Sequence, residues 1–467
     1  MGEFSRKHLL FLGKKIGHAE HGKLWMKRII DEELVNWAKD TSPKPLLLRG
    51  ARQVGKTYAI RKLGRTFKHF IEINFDEDSN VGYFFNSNLS AEPIVEKLSA
   101  YMRKPIKAGE TLLFFDEIQS CPKALASLRY FREQMPDLHV IAAGSLLEFA
   151  LQEIPSMGVG RITSCFMYPM TFTEFLSGIG EEALIDQIQK ADFEHPMDVP
   201  FHERLLDYLR TYMTIGGLPE VVAGYVQKHD LNAAMETLDD LLLLFQDDFA
   251  KYRKRVPMSR LAETFLSAAA QAGGKFICAH VSRDVKSTVI RDALELLVKA
   301  GLVIKVTHTA ANGLPLGAEA SEVVFKTLPA DMGLHQRLLG LDLRNLLTLN
   351  NIDFANKGAL AEVHAGLQIT AHTSMRHRPE LHYWHREEQN AMAEVDYVTQ
   401  IGNAVVPLEV KAGVKGAMKS LRIFMSEKKI SQGVRISLEN FSSLPDVKIL
   451  PLYAVHRLFD GSLSEYF

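Results

Sequence analysis

Short apolar runs and amphipathic stretches alternate along the first third of the chain. Between residues 30 and 177 the runs 45–48, 70–75, 111–115, 138–142 and 162–167 are apolar enough to be strands buried on both faces, separated by stretches of helical spacing. Strands alternating with helices make a doubly wound parallel sheet, so 29–178 is expected to be an α/β domain. From 179 to 335 the spacing turns helical, in 205–212, 238–249 and 261–270, with Gly216-Gly217-Leu218-Pro219 separating the first two. A helix over 287–300 then precedes two strand-like runs, 302–307 and 323–326. In the last segment, 336–467, residues 393–398 and 406–411 alternate polar and apolar positions as half-buried strands do. Gly402-Asn403 between them has the glycine-first order of a type II′ hairpin turn. In that register Asp396 falls opposite Glu409 and Glu394 opposite Lys411, all on one face.

The run at 46–48 leads into Gly50, Ala51, Arg52, Gln53, Val54, Gly55, Lys56 and Thr57, a phosphate-binding loop that opens a helix at Tyr58. Its backbone N–H groups can surround phosphate oxygens, Lys56 is a point charge for the terminal phosphates, and Thr57 offers a hydroxyl to Mg²⁺. The matching acid should end another apolar strand, and Thr111 to Glu117 reads Thr-Leu-Leu-Phe-Phe-Asp-Glu. Asp116 is placed to hold Mg²⁺ and Glu117 to activate the attacking water, so ATP, Mg²⁺ and hydrolysis are expected. Ser145, after the fourth run, suits a γ-phosphate sensor and equally a helix N-cap. Arg161 is a candidate finger for transition-state charge, acting within its own subunit or across to a neighbour in a homo-oligomer.

Composition narrows this further. Of 467 residues, 46% are hydrophobic and 24% charged, and no apolar run approaches the roughly 18 residues that span a membrane. The expectation is a cytoplasmic protein with no membrane partner. A net charge of −1 excludes a globally basic nucleic-acid binder but not a local patch. One basic excess lies in residues 1–28, an arm that touches phosphates or a solvated tail. The three cysteines have no metal-type spacing.

Two carboxylates opposed across a ladder repel, so Asp396 and Glu409 call for a positive partner between them. Mg²⁺ held by both satisfies this, with Lys411 orienting an attacking water; a solvated hairpin with a Glu394–Lys411 cross-strand pair is the plainer reading. Asp396, twelve residues, then Glu409-x-Lys411 matches the spacing of the PD-(D/E)xK nuclease core. There an upstream helix adds an acid, here Glu362. The helix-then-hairpin order at 259–326 resembles a winged helix, with Lys286, Ser287, Thr288 and Arg291 in the position that touches DNA.

Taken together, Leu47 to Thr57, Leu113-Phe-Phe-Asp-Glu-Ile-Gln119, Ala142-Ala-Gly-Ser-Leu-Leu-Glu-Phe149, Gly216 to Val222 and Glu394 to Lys411 resemble the bacterial and archaeal AAA-type ATPases. In these an ATPase domain is joined to a C-terminal domain of unknown function with a restriction-endonuclease-like core. The resemblance implies an AAA/ASCE-type P-loop sheet, a winged-helix-like middle and a nuclease-like end. It implies Lys56, Thr57, Asp116, Glu117 and Ser145 as the nucleotide site and Glu362, Asp396, Glu409 and Lys411 as a nuclease-type site acting on DNA or RNA. The chain departs from that family at Glu362-Val363-His364, where Glu-Asn is usual. A different reading is a nucleotide-dependent regulatory or signalling switch whose C-terminal domain binds a partner without cleavage.

Overall fold

The computed structural model describes residues 26–86, 88–153, 160–252, 256–341, 357–388, 391–413 and 418–467. Most of the basic arm expected at 1–28 lies outside them. Five strands, β1 (Leu46–Arg49), β2 (His69–Asn74), β3 (Thr111–Asp116), β4 (His139–Ala143) and β5 (Thr163–Phe166), form an all-parallel sheet in the order β2-β3-β4-β1-β5. These match the five runs read from sequence: the central strands β1, β3 and β4 are buried on both faces, while the edge strands β2 and β5 are only partly buried. Leu46, Leu48, Phe114 and Ile141 fill one core, and Leu47, Phe115, Val140 and Ala142 the other. In space β4 lies between the phosphate-loop strand β1 and the acid-bearing strand β3, so their ends flank a common crevice. Helix α1 (Lys56–Gly64) starts directly from the loop.

Helix α2 (Pro122–Gln134) follows β3; after a helical middle come α3 (Met258–Ala270), α4 (Ser287–Lys299), β6 (Val303–Thr309) and β7 (Ala320–Pro329). This is the helix–helix–hairpin order of a winged helix, with Lys286, Ser287, Thr288 and Arg291 exposed. The hairpin is not a free wing, however. β6 pairs in parallel with β8 (Leu381–Glu388), and the sheet continues through β9 (Ala391–Ile401), β10 (Ala404–Val410), β11 (Gly433–Ser437), β13 (Val447–Pro451) and the short β12 (Ser442–Ser443). The sheet therefore crosses the boundary expected at 335/336, and one hydrophobic core takes in residues from Met170 to Leu463, with Met26. Helices α5 (Lys357–Thr373) and α6 (Lys419–Lys428) pack on this sheet. The β9–β10 register is the one read from the turn: Ile401 faces Ala404 and Tyr397 faces Leu408, with Gly402 at φ 58°. Among the described residues no helix is long and apolar enough to cross a membrane.

Candidate nucleotide site and carboxylate cluster

The loop between β1 and α1 is held from behind. A Cβ on Gly50 would sit 2.1 Å from the Met167 carbonyl oxygen, so only glycine fits there. Buried Arg28 donates to the Val54 carbonyl (2.8 Å), the Tyr168 carbonyl (2.7 Å) and Glu174 (2.9 Å). Arg28 is thus a structural brace of the loop rather than the end of a solvated arm. Arg52 forms a two-oxygen ion pair with Asp248 at 2.7 Å, tying the loop to the helical middle.

In front, a cavity of about 500 Å³ is lined by Arg52, Gln53, Gly55, Lys56, Thr57, Tyr58, Asp116, Glu117 and Ser145. Lys56 Nζ donates to the carbonyls of Gly50 (2.9 Å) and Ala51 (2.7 Å), partners that incoming phosphates would replace. Burial lowers its pKa to about 8 against the opposing pull of Glu117 and Asp116. Burial also raises Asp116 to about 6, opposed by the hydrogen bond from Thr57. Thr57 Oγ1 lies 3.0 Å from Asp116 Oδ2. Neighbouring oxygens of an octahedral Mg²⁺ shell are about 3 Å apart, so this pair fits that ion. Glu117, at φ 48°, turns back at the end of β3, and its Oε2 accepts from Gln119 Nε2 (2.6 Å), Ser145 N–H (3.3 Å) and Ser145 Oγ (3.4 Å). Arg161 lies elsewhere: it pairs with Glu133 of α2 at the surface and is not among the cavity's lining residues.

The C-terminal residues Glu362, Asp396, Glu409 and Lys411 do converge, on the face of β9–β10 beneath α5. Asp396 Oδ2 accepts the Val410 N–H (2.7 Å), and Lys411 Nζ lies 2.5 Å from Glu409. Glu409 Oε2 is buried without a hydrogen-bond partner. The cation that sequence reasoning missed is Lys326 of β7, fully buried, 2.8 Å from Glu362 and 2.6 Å from Glu394. Glu394 therefore pairs with Lys326 rather than with Lys411. Among the described residues no three His, Cys, Asp or Glu side chains gather at metal-binding spacing. Mg²⁺ commonly takes only one or two carboxylates with waters, so Asp396 and the unpartnered Glu409 oxygen still suit it. An open cleft of about 560 Å³ reaches the cluster between Gly273, Gly274 and Lys275 on one side and Glu362, Asp396 and Lys411 on the other.

Burial, with Asp396 next, raises Glu362 to about 8 and Glu409 to about 7; burial likewise raises Asp396. A carboxyl whose folded pKa exceeds its unfolded one stabilises at low pH and loses that contribution as pH rises through the folded value. Buried His335 and His364 and half-buried His372, lowered to about 4, act oppositely, adding stability as pH rises from 4 to their ordinary 6.5. Thermal stability should therefore decline from about pH 6.5 to 8, and Glu362→Gln should flatten that decline in melting curves. A decline of the same size in the variant would refute this origin.

Residues 42–176 match the AAA domain family, residues 206–345 a domain of unknown function (DUF8612), and residues 357–455 another (DUF4143). No curated protein matches the chain. Similar solved structures include a Walker-type ATPase of Pyrococcus abyssi, at 16% identity over 68% of this chain and 96% of that one, with a TM-score of 0.43. They also include Cdc6p from Pyrobaculum aerophilum (12%, 70% and 97%, TM-score 0.25) and Drosophila ORC bound to DNA (14%, 67% and 95%, TM-score 0.24). With its parallel sheet, phosphate loop and Asp116-Glu117 pair, this chain carries an AAA-type ATPase domain, followed by two domains of unknown function.

Proposed function

We propose that the protein hydrolyses ATP and that its C-terminal carboxylate cluster is a Mg²⁺-dependent nuclease-type site acting on nucleic acid. The observation that supports ATP hydrolysis best is the Thr57–Asp116 contact at 3.0 Å beside Glu117 in one cavity. Lys56 and the loop amides bind the phosphates, Thr57 and Asp116 hold Mg²⁺, and Glu117 accepts a proton from the attacking water. Ser145 holds Glu117 in place and lines the same cavity, which suits a sensor. In the second site, Asp396 and Glu409 would hold Mg²⁺, which supplies Lewis-acid stabilisation of a pentavalent phosphate. Lys411, already against Glu409, orients a water, and Glu362 completes the acidic wall. Arg161 would serve as a finger only after leaving Glu133, which suits action across a subunit contact.

The test is cleavage of single- and double-stranded DNA and RNA with Mg²⁺ or Mn²⁺, with and without ATP. Asp396→Ala should lose cleavage by at least about 100-fold, and Lys56→Ala should lose whatever part of it depends on ATP. If wild type hydrolyses ATP yet cuts none of these substrates, the nuclease reading fails. One observation favours the alternative switch without cleavage: Lys326 already occupies a cationic position among the acids. A nucleotide-dependent change of assembly size without cleavage would support that switch.

A further inference from the structure

The Gln119 side chain is held in an arrangement that folding alone does not explain. Its Nε2 donates to Glu117 Oε2 at 2.6 Å, while its Oε1 is buried with no hydrogen-bond partner. The amide cannot be reversed, because Oε1 would then face a carboxylate oxygen. A buried, unmatched carbonyl oxygen destabilises the fold, having given up water for no partner. The same oxygen lies against Gly144, where a Cβ would be 1.9 Å away. Gly144 has no positive φ, so it is space, not backbone freedom, that requires glycine there. Two residues from different strand ends, Gln119 after β3 and Gly144 after β4, are thus fitted to each other at the expense of an unsatisfied oxygen. What the fit accomplishes is a short hydrogen bond to the acid beside the phosphate loop.

We infer that Gln119 is a positioning residue for ATP hydrolysis, and that Gly144 provides the room it needs. This rests on the reading of Glu117 as the base. All three donors, from Gln119 and from the N–H and hydroxyl of Ser145, meet at Oε2, so Oε1 is the oxygen left for the attacking water. As the water oxygen bonds to the γ-phosphorus, the bridging P–O bond breaks and its electron pair leaves with ADP. The water's proton passes to Glu117. Ser145 alone, at 3.3 and 3.4 Å, holds the carboxylate loosely; the 2.6 Å bond from Gln119 sets its rotation.

Gln119→Met keeps the length and apolar bulk but removes both the donor and the unmatched oxygen. Its melting temperature should equal or exceed that of wild type, while kcat for ATP falls about 10- to 100-fold and KM stays unchanged, as misplacement of a catalytic group does. Gly144→Ala, which displaces the amide without removing it, should show the same split between kcat and KM. The double variant should be no slower than Gln119→Met alone, since both changes break one interaction. A kcat within twofold of wild type in Gln119→Met, or multiplicative losses in the double variant, would overturn the inference. Failure of wild type itself to hydrolyse ATP would instead overturn the reading of Glu117.

Discussion

Replacing Glu117 with Gln is expected to lower ATP turnover by about 10²–10⁴-fold, the usual contribution of a positioned base, while leaving ATP binding close to wild type. The substitution keeps the side chain's size and its place at the end of β3, but an amide cannot take the water's proton. Binding depends on other groups: the loop amides, Lys56 and the Thr57–Asp116 pair 3.0 Å apart. Lys56→Ala should therefore fail differently. It removes the only side-chain charge of the Gly-Lys-Thr turn and should weaken nucleotide binding itself. Single-turnover hydrolysis and a fluorescent-nucleotide titration separate the two. A Glu117→Gln variant within tenfold of wild-type turnover would remove Glu117 from the role of base.

How much of this was legible in the sequence follows from how local each feature is. The central strands β1, β3 and β4 could be read because they are buried on both faces and so are largely apolar, and the edge strands β2 and β5 because enough of their positions are apolar to stand out between helical stretches. The phosphate loop is a contiguous stretch, and Asp116 ends a run of apolar residues. The β9–β10 register was fixed by a two-residue turn, which determines every pair along the ladder. What could not be read depends on contacts between distant segments. Lys326 looks like the end of a hairpin, and only the pairing of β6 with β8 and the packing of α5 bring it against Glu362. Arg28 stands in a basic stretch and looks solvated; its role requires Val54 and Glu174, the latter 146 positions away. Gln119 closes the run Leu113-Phe-Phe-Asp-Glu-Ile-Gln119, yet its fit depends on the absence of a side chain at Gly144. For Arg161 the sequence offered proximity to the nucleotide strands, whereas the structure gives it Glu133 as partner.

The second large effect is expected at Lys326. One fully buried ammonium faces Glu362 and Glu394 directly and lies in the field of Asp396, which holds Lys326 charged well above the ordinary lysine range despite burial. Removing one member of a buried ion pair typically destabilises by about 3–5 kcal/mol, because the remaining charge has lost both water and partner. Lys326→Met should therefore lower stability by up to that order at pH 9.5, above the value of about 8 at which Glu362 ionises in the intact pair. The loss should shrink towards pH 6, where Glu362 carries a proton whether or not Lys326 is present. Combining it with Glu362→Gln should recover much of the loss at pH 9.5, as the double variant has no carboxyl at 362 to be buried without its partner. Denaturant unfolding of the single and double variants at pH 6 and 9.5 checks each step. A Lys326→Met variant as stable as wild type at pH 9.5 would mean the acids are compensated elsewhere, and a loss independent of pH would point to lost packing around the lysine stem rather than lost charge.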